Sequence, residues 1–162
     1  MRAARPADAP ELTRIARAAK AHWGYPDAWL VLWREGLTVN PAEFETQCFL
    51  VAEAASEADR RGFAAVDLGD GEAELTHLWV APEYMGTGVG RHLFRAAVSH
   101  CRGAGCGRLR IEADPNAAPF YAHMGAREVG AAASVPAPRM LPVFELTIEA
   151  VPVAASVQPQ ES

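Results

Sequence analysis

The stretch LWVAPEYMGTGVGR, residues 78–91, joins a predicted buried strand to a predicted helix through a turn that has glycine at alternate positions. Gly86, Gly88 and Gly90 permit a positive φ and lack Cβ atoms, so successive backbone N–H groups can face one bound anion. The first turn of the helix adds its unpaired N–H groups and the positive end of its dipole. The stretch therefore predicts a site for a phosphate or diphosphate group.

Two widespread phosphate-binding loops do not fit this turn. A dinucleotide fingerprint GxGxxG that starts at Gly86 would need glycine where Arg91 stands. A Walker loop would need Gly-Lys-Ser/Thr, and Lys20 is the only lysine in the chain. A glycine-rich turn that binds no ligand is the remaining alternative, since isolated glycine motifs are weakly specific.

Apolar periodicity on both sides of the turn predicts a strand–helix–strand unit. Residues 73–81 have the composition of a strand, residues 89–103 carry one apolar helical stripe, and residues 108–113 form a second strand. A crossover of this kind is right-handed and places its two strands parallel in one sheet.

Further elements indicate an α/β or α+β domain with a mixed sheet. Asp8 is a candidate cap for a first helix that ends near residue 22, and a second helix runs from Asp27 to about Leu37. A short helix is expected at residues 117–124, with Asn116 as its cap. The remaining strands are predicted at residues 2–5, 48–54, 62–68 and 140–148, with a hairpin turn at 67–71.

Composition limits the class of protein. The chain has 162 residues, of which 50% are hydrophobic, so we expect one globular domain over residues 1–150 and a flexible tail over 151–162. The balance of 15 basic and 20 acidic residues argues against non-specific nucleic-acid binding. The 3 cysteines form no CxxC pair, which predicts neither a disulfide framework nor a metal site. Without a leader or a bilayer-length apolar run, the sequence predicts a cytoplasmic protein with no membrane association.

The segment VAP at residues 80–82 is followed by MGTGVG at 85–90, and NAAPFYAHMGA occupies residues 116–126. The first two resemble the acetyl-coenzyme A loop of the GNAT superfamily of N-acetyltransferases, whose pattern is Gln/Arg-x-x-Gly-x-Gly/Ala. The third resembles the Asn-x-x-Ala-x-x-Phe-Tyr-x-x-x-Gly-Phe segment of that family, and the resemblance extends from about Arg2 to Ile148. Three positions depart from the patterns: Met85 replaces Gln or Arg and keeps only its backbone N–H for a phosphate, Pro119 takes a variable position, and Ala126 replaces an aromatic residue.

The resemblance implies a fold, a cofactor and a reaction. The fold is a mixed, mostly antiparallel sheet with a splayed parallel strand pair, flanked by helices. The cofactor is acetyl-coenzyme A, and the reaction is direct transfer of its acetyl group to the primary amine of a small molecule, an acyltransferase reaction. A protein or peptide N-acetyltransferase and a non-catalytic coenzyme A-binding sensor are the alternatives. The resemblance assigns to cofactor binding Leu78, Val80, Met85, Gly86, Thr87, Gly88, Val89, Gly90, Arg91, Asn116, Phe120 and Tyr121.

Tyr121 is the first candidate for catalysis, because the resemblance places it near the coenzyme A sulfur as general acid, and a phenol is neutral at pH 7. The alternative is that Tyr121 is only a core aromatic residue. For the general base, strand alternation puts Glu74 on the same face as Leu78 and Val80, at a position where some family members carry a glutamate base. His77 is the rival: strict alternation puts it on the opposite face, but a bulge near Leu78 would bring it to the face of the site. A base acting through water is the third option.

The acceptor pocket is expected where the resemblance places it, beside the first two helices and their connection. Trp23 and Tyr25 flank a glycine in that connection and are candidates for holding an amine. Trp29 and Trp33 lie one helical turn apart and are predicted to be core. Arg139, before the last strand, is a candidate for a substrate carboxylate, for a partner subunit in a homodimer, or for solvent.

Overall fold

A seven-stranded sheet forms the centre of the part of the chain that the computed structural model describes, residues 1–55 and 59–150. The strands are β1 (Arg2–Ala3), β2 (Gln47–Glu53), β3 (Arg60–Leu68), β4 (Glu72–Val80), β5 (Arg108–Glu112), β6 (Arg127–Ala133) and β7 (Met140–Thr147). The helices are α1 (Ala9–His22), α2 (Asp27–Leu32), α3 (Val89–Gly103) and α4 (Ala118–His123). The tail predicted at 151–162 lies outside the described residues.

The strand order is β1-β2-β3-β4-β5-β7-β6, and each neighbouring pair is antiparallel except β4 and β5. The parallel β4–β5 pair on either side of α3 confirms the predicted crossover and the mixed α/β fold. Its ladder joins only residues 72–74 of β4 to residues 108–110 of β5. Beyond Glu74 and Arg110 the strands separate, which opens the sheet near its centre.

Helices cover both faces of the sheet, and each buries its own apolar cluster. α1 packs Leu12 and Ile15 against one face, which we call the α1 side. α3 packs Leu93 and Phe94 against the other face, the α3 side, where α4 also lies. In both long helices the buried side chains recur with the helical period, so the apolar stripe of the sequence decides which face of the helix meets the sheet.

A β-bulge in β4 changes which of its side chains share a face. The register with β3 shifts so that Thr76 is an extra residue. Leu75 before the bulge and Leu78 after it therefore both pack into the cluster on the α3 side. Glu74 faces away from Leu78 and Val80, and the prediction that the three share a face is wrong. The inserted residue interrupts the alternation of side chains between the two faces of the sheet.

Gly62 of β3 is required by the close approach of β4. A Cβ atom at Gly62 would lie 2.6 Å from the carbonyl oxygen of Trp79 and 3.0 Å from Cδ1 of Leu93. The carbonyl belongs to the sheet backbone and cannot rotate away as a side chain can. The contact between α3 and this part of the sheet thus depends on the absence of a side chain at this position.

Two predictions of secondary structure are corrected. β6 was not predicted from the sequence, because REVGAAA contains one glycine and three alanines in place of alternating β-branched residues. It is an edge strand that exists through its pairing with β7. The second helix ends at Leu32 rather than near Leu37, since the chain turns there and the Arg34 N–H bonds the Val31 carbonyl at 3.3 Å.

Asp8 does not cap α1 with its side chain. Its buried carboxylate accepts hydrogen bonds from Arg2 at 2.9 and 3.0 Å and from the Arg5 N–H at 2.7 Å, and it pairs with Arg60 at 3.0 Å. The hydrogen bonds from Arg2 are the main reason that the pKa of Asp8 lies well below its usual range. Asp8 thus joins β1, β3 and the start of α1.

Candidate active site

A cleft of about 530 Å³ opens where β4 and β5 separate. It crosses the sheet, because Leu75 and Val80 from the α3 side and His77 from the α1 side all line it. The glycine turn before α3 borders the cleft, and so does Trp23 beyond the end of α1. The strand separation thus brings together the predicted anion site and the predicted acceptor region.

The turn before α3 has the backbone geometry of an anion site. Gly86 has φ +77° and Gly88 has φ +91°, both in the left-handed region that favours glycine. Gly88 directly precedes α3, so the turn leads into the positive end of that helix. Gly90 does not use the freedom predicted for it, because it lies inside α3 and its φ is not positive.

Two of the amides assigned to phosphate binding are already engaged. The Met85 N–H bonds the Pro82 carbonyl at 3.3 Å, and the Thr87 N–H bonds the Tyr84 carbonyl at 3.3 Å. Neither of these two N–H groups is free in this structure, and the contact of Met85 and Thr87 with a phosphate stays a prediction. In the described part of the chain, no acceptor is found for five other N–H groups of this segment, which belong to Gly86, Gly88, Val89, Gly90 and Arg91. Unpaired amides at a helix start are the groups that bind a phosphate.

Tyr121 reaches the cleft from α4. Its ring packs against Phe94, Phe120 and Phe144, with centroids 5.9, 5.2 and 6.0 Å away. Burial raises the pKa of Tyr121 above its ordinary value, and the negative charge of Asp114 adds to the effect. Its hydroxyl has no hydrogen-bond partner among the described residues, although Tyr121 lines the cleft. The ring contacts fix the side chain, and its neutral hydroxyl is available to donate a hydrogen bond to a molecule bound in the cleft.

His77 also lines the cleft, but its geometry does not suit a general base. Its Nδ1 accepts a hydrogen bond from Trp79 Nε1 at 3.1 Å, which assigns the proton of the neutral ring to Nε2. Its ring packs against Phe63, with centroids 5.5 Å apart. Burial lowers the pKa of His77 to about 4. At neutral pH the ring is therefore a neutral donor at Nε2, with its other nitrogen occupied.

The structure does not bring Glu74 to the cleft. Glu74 is exposed, lies 3.6 Å from Arg110 and is absent from the cleft wall. Glu112 is present there instead: it ends β5 just beyond the paired residues and accepts a hydrogen bond from Arg110 at 2.9 Å. Since Leu109 and Ile111 point into the α3-side cluster, alternation puts Glu112 on the α1 side. Glu112 was not among the residues predicted from the sequence. The alternation of RLRIE shows its face, but nothing in the sequence shows where β4 and β5 separate.

A buried cluster surrounds Asp114, which lines the cleft. Asp114 pairs with Lys20, and both its carboxylate oxygens lie 2.9 Å from the Tyr25 hydroxyl. Arg139 Nη2 approaches the same carboxylate at 3.5 Å. Burial acts to raise the pKa of Asp114, but the hydrogen bonds from Lys20 and from the Asn116 N–H hold it below its usual range. The cluster ties α1, the α1–α2 connection and the segments before α4 and β7 to one carboxylate.

The predicted acceptor residues divide between the cleft and this cluster. Trp23 lines the cleft with 42% of its surface exposed, whereas Tyr25 and Arg139 lie behind Asp114. Trp29 and Trp33 are half-buried rather than deep core, and Lys20 Nζ lies 4.5 Å from the Trp33 ring centroid.

Asn116 does not cap α4. Its Nδ2 donates to the Tyr25 hydroxyl at 2.9 Å and to Asp114 Oδ1 at 3.0 Å. Asp114 provides the cap of this region instead, by accepting the Asn116 N–H at 2.8 Å. Asn116 and Phe120 line the cleft, and their contact with the cofactor stays a prediction.

Within residues 1–55 and 59–150, no group of three or more His, Cys, Asp or Glu side chains has the arrangement of a metal site. In the same ranges, no helix combines the length and the apolar character needed to cross a bilayer.

Comparison with known proteins places these features in one family. The model of the acetyltransferase (GNAT) family matches residues 10–126. No curated protein matches the sequence with significance.

Several solved structures share the fold. The PaiA N-acetyltransferase of Thermoplasma acidophilum, solved in complex with coenzyme A, is 21% identical with a TM-score of 0.76 over 90% of this chain and 96% of that one. A putative GNAT acetyltransferase of Desulfovibrio desulfuricans is 20% identical, with a TM-score of 0.70 over 91% and 98% of the two chains. The ribosomal-protein-S18-alanine N-acetyltransferase of Escherichia coli is 18% identical, with a TM-score of 0.65 over 93% and 94%. At these identities the likeness shows the fold alone.

Proposed function

Since the chain belongs to the GNAT acetyltransferase family, we propose that it transfers the acetyl group of acetyl-coenzyme A directly to the primary amine of a small molecule. The observation that carries the proposal is the set of N–H groups at Gly86 and at residues 88–91 that have no acceptor among the described residues, beside a cleft whose wall contains Tyr121. An anion site and a buried proton donor are the two things that a thioester of coenzyme A needs from the protein.

The residues present fit acetyl-coenzyme A, which supplies the acetyl group as a thioester. The free amides of the turn and the positive end of α3 complement a diphosphate. Leu78 and Val80 lie on the part of β4 that has no β5 partner, so this strand edge is open to an extended amide-containing chain. Asn116 and Phe120 line the opposite wall.

Tyr121 holds the proton that the departing thiolate needs. Its raised pKa keeps the phenol protonated throughout the neutral and mildly alkaline range. Its ring contacts with Phe94 and Phe144 fix the direction of the hydroxyl, so little reorganisation is required when the proton moves.

Glu112 takes the general-base role for which Glu74 was considered. An amine must lose a proton before it can attack a carbonyl carbon, and the Glu112 carboxylate faces the cleft on the α1 side, from which the acceptor enters. Tyr121 belongs to the α3-side cluster. Acid and base thus stand on opposite sides of the opened sheet, as direct transfer between two substrates requires.

The hydrogen-bonded cluster beside the cleft supports a small amine rather than an extended peptide as the acceptor. The cluster around Asp114 joins the segments that would have to part to admit a chain, and Trp33 Nε1 adds a hydrogen bond to the Val135 carbonyl at 2.7 Å. Trp23 offers an exposed aromatic face beside the opening.

The test is thiol release from acetyl-coenzyme A with a panel of primary amines (spermidine, tyramine, ethanolamine and glycinamide) and with an N-terminal peptide. We expect turnover with at least one small amine. Turnover with the peptide alone would indicate a protein-directed enzyme, and coenzyme A binding without any turnover would indicate a sensor. Tyr121→Phe should lower kcat about a hundredfold while the calorimetric Kd of coenzyme A stays within about twofold.

Glu112→Gln and Glu74→Gln form a matched pair, because both carboxylates lie beside Arg110. We expect Glu112→Gln to lower kcat about a hundredfold and Glu74→Gln to leave it unchanged. Equal activity of the two variants would remove Glu112 from the mechanism.

A further inference from the structure

His77 has one hydrogen-bond donor that the described part of the chain leaves unused. The indole N–H of Trp79 can only donate, and it lies 3.1 Å from His77 Nδ1, so the proton of the neutral ring is on Nε2. No acceptor for this Nε2–H is found among the described residues. The side-chain atoms there that are both buried and unpaired belong to Arg17, Glu43 and Arg60. Nε2 of His77 is therefore accessible, and the open space beside His77 is the cleft.

Several other donors on the cleft wall are already bonded to a side chain of the protein. These donors are the hydroxyls of Thr76 and Tyr84, the indole N–H of Trp79 and the side-chain amide of Asn116. In the mechanism above, the proton of Tyr121 goes to the departing thiolate. The Nε2–H of His77 has no such task and is free to bind the second substrate.

The His77 ring lies on the side of the sheet from which the acceptor enters. Its centroid is 6.0 Å from that of Phe49 and 5.5 Å from that of Phe63, and both phenylalanines belong to the α1-side cluster. Glu112, proposed above as the base, lines the same cleft from the α1 side. One acceptor molecule can therefore place its amine at Glu112 and a second polar group at His77.

The chemistry of the donor limits what this second group is. A neutral N–H binds an oxygen that has a free lone pair, such as that of a hydroxyl or a carbonyl group. An ammonium group has only donors, so it would lose water at His77 without gaining a hydrogen bond. A methyl group would leave the donor unpaired in the occupied cleft, which weakens binding.

From this arrangement we propose that the acceptor is a primary amine that also carries an uncharged oxygen, in a hydroxyl or carbonyl group, and that His77 selects it by donating its Nε2–H to that oxygen. The proposal rests on the proposed function, because it concerns the second substrate of the acetyl transfer. His77 contacts the part of the acceptor that does not react and thus determines specificity. Amino alcohols and amino amides are then preferred over alkylamines and diamines of the same size.

The first test compares amines of equal size in the thiol-release assay with the wild-type protein. The pairs are ethanolamine with propylamine, propanolamine with butylamine, and tyramine with p-methylphenethylamine, and ethylenediamine is the cationic analogue of ethanolamine. In at least one pair we expect kcat/KM to be about tenfold higher for the oxygen compound, which is the effect of one hydrogen bond to a donor that is otherwise unpaired. Ethylenediamine should be no better a substrate than propylamine.

Two variants separate the two nitrogens of the ring. In His77→Gln the amide nitrogen can take the place of Nε2 and keep the donor, whereas in His77→Asn the side-chain oxygen can take the place of Nδ1 and keep only the hydrogen bond from Trp79. We expect His77→Gln to retain most of the preference and His77→Asn to reduce it below about threefold, through a higher KM for the oxygen compound. In both variants kcat for the apolar amine and the calorimetric Kd of coenzyme A should stay within about twofold of the wild type. His100→Asn, at an exposed histidine of α3, is the control and should change none of these values.

A long-range proton–nitrogen NMR spectrum of the imidazole rings measures the contact directly. The signals of His77 are identified among those of the five histidines by their loss in His77→Gln. With coenzyme A bound at neutral pH, we expect the Nε2–H tautomer, whose Nε2 proton signal shifts when the preferred oxygen amine is added and stays in place with its apolar partner. A charged ring, an Nδ1–H tautomer or equal shifts with both amines would overturn the proposal.

Three kinetic results would overturn the proposal and leave the proposed function intact. They are no preference for oxygen in any pair, a preference that persists in His77→Asn, and an equal loss of kcat with both members of a pair in that variant. The last result would assign His77 to the reacting carbonyl group instead. Absence of turnover with every amine would overturn the proposed function and, with it, this proposal. If His77→Asn does not fold, the comparison of paired amines with the wild-type protein still decides.

Discussion

Replacing His77 by Asn tests whether burial beside the cleft keeps the His77 side chain neutral. The Asn side-chain oxygen can accept the hydrogen bond that Trp79 Nε1 donates to Nδ1 of His77, but Asn does not titrate. The loss of ring packing against Phe49 and Phe63 lowers stability by an amount that does not depend on pH. The pH dependence of stability therefore isolates the titration of this one group.

The magnitude follows from the pKa of His77, which burial lowers from 6.5 to about 4. Below about pH 6.5 the unfolded chain binds a proton at His77 that the folded chain does not bind. The free energy of unfolding therefore falls as the pH is lowered from about 6.5 to about 4. Since one pKa unit is worth about 1.4 kcal/mol, the contribution of His77 to this fall amounts to about 3 kcal/mol.

The assay is urea unfolding, followed by tryptophan fluorescence, at a series of pH values from 7.5 to about 4. Across that range the wild-type curve should fall by about 3 kcal/mol more than the curve of His77→Asn. Parallel curves would refute the argument, because His77 would then bind its proton equally well in the folded and unfolded states. The same result would restore His77 as a candidate base near neutral pH.

Two further predictions concern the close approach of β3 and β4 at Gly62 and the ion pairs of Asp8. Gly62→Ala should lower the free energy of unfolding by about 1–3 kcal/mol, because the new methyl group would lie 2.6 Å from the Trp79 carbonyl oxygen. Gly130→Ala is the control: its methyl group would have no atom within 4 Å, so the free energy of unfolding should hardly change. Equal melting temperatures of the two variants in thermal unfolding would contradict the close approach of β3 and β4. Asp8→Asn should cost about 1.5–3 kcal/mol at pH 7. The lowered pKa of Asp8 means that its ionised carboxylate stabilises the fold above about pH 4, and this stabilisation is lost as the pH falls further. Urea unfolding should therefore show the stabilities of the wild-type protein and the variant converging toward pH 2. A constant difference at all pH values would contradict this sign.

Local sequence patterns were sufficient for most of the elements. The apolar stripe at residues 89–103 predicted α3 with the bounds that the structure shows, and the strands on either side form the predicted parallel pair. The edge strand β6 was not predicted, because REVGAAA has weak strand propensity and gains its structure from pairing with β7. Local patterns predict elements that carry their own apolar face, and they miss elements that depend on a neighbour.

The candidate site shows the same difference between local motifs and features that depend on tertiary structure. The glycine turn and Tyr121 could be named from the sequence, since both lie in contiguous motifs. Glu112 could not, because its place in the cleft wall depends on the residue at which two strands far apart in sequence stop pairing.

By itself, the sequence determined the mixed α/β fold, the glycine turn at the start of α3, and the family that follows from these motifs. Only the tertiary structure decided which carboxylate faces the cleft. A single inserted residue at Thr76 reverses the faces of β4, and that bulge is defined by the register with β3 rather than by any local pattern. Backbone conformation is set mainly by neighbours along the chain, whereas the direction of a side chain in a sheet is set by which strand lies beside it and in which register.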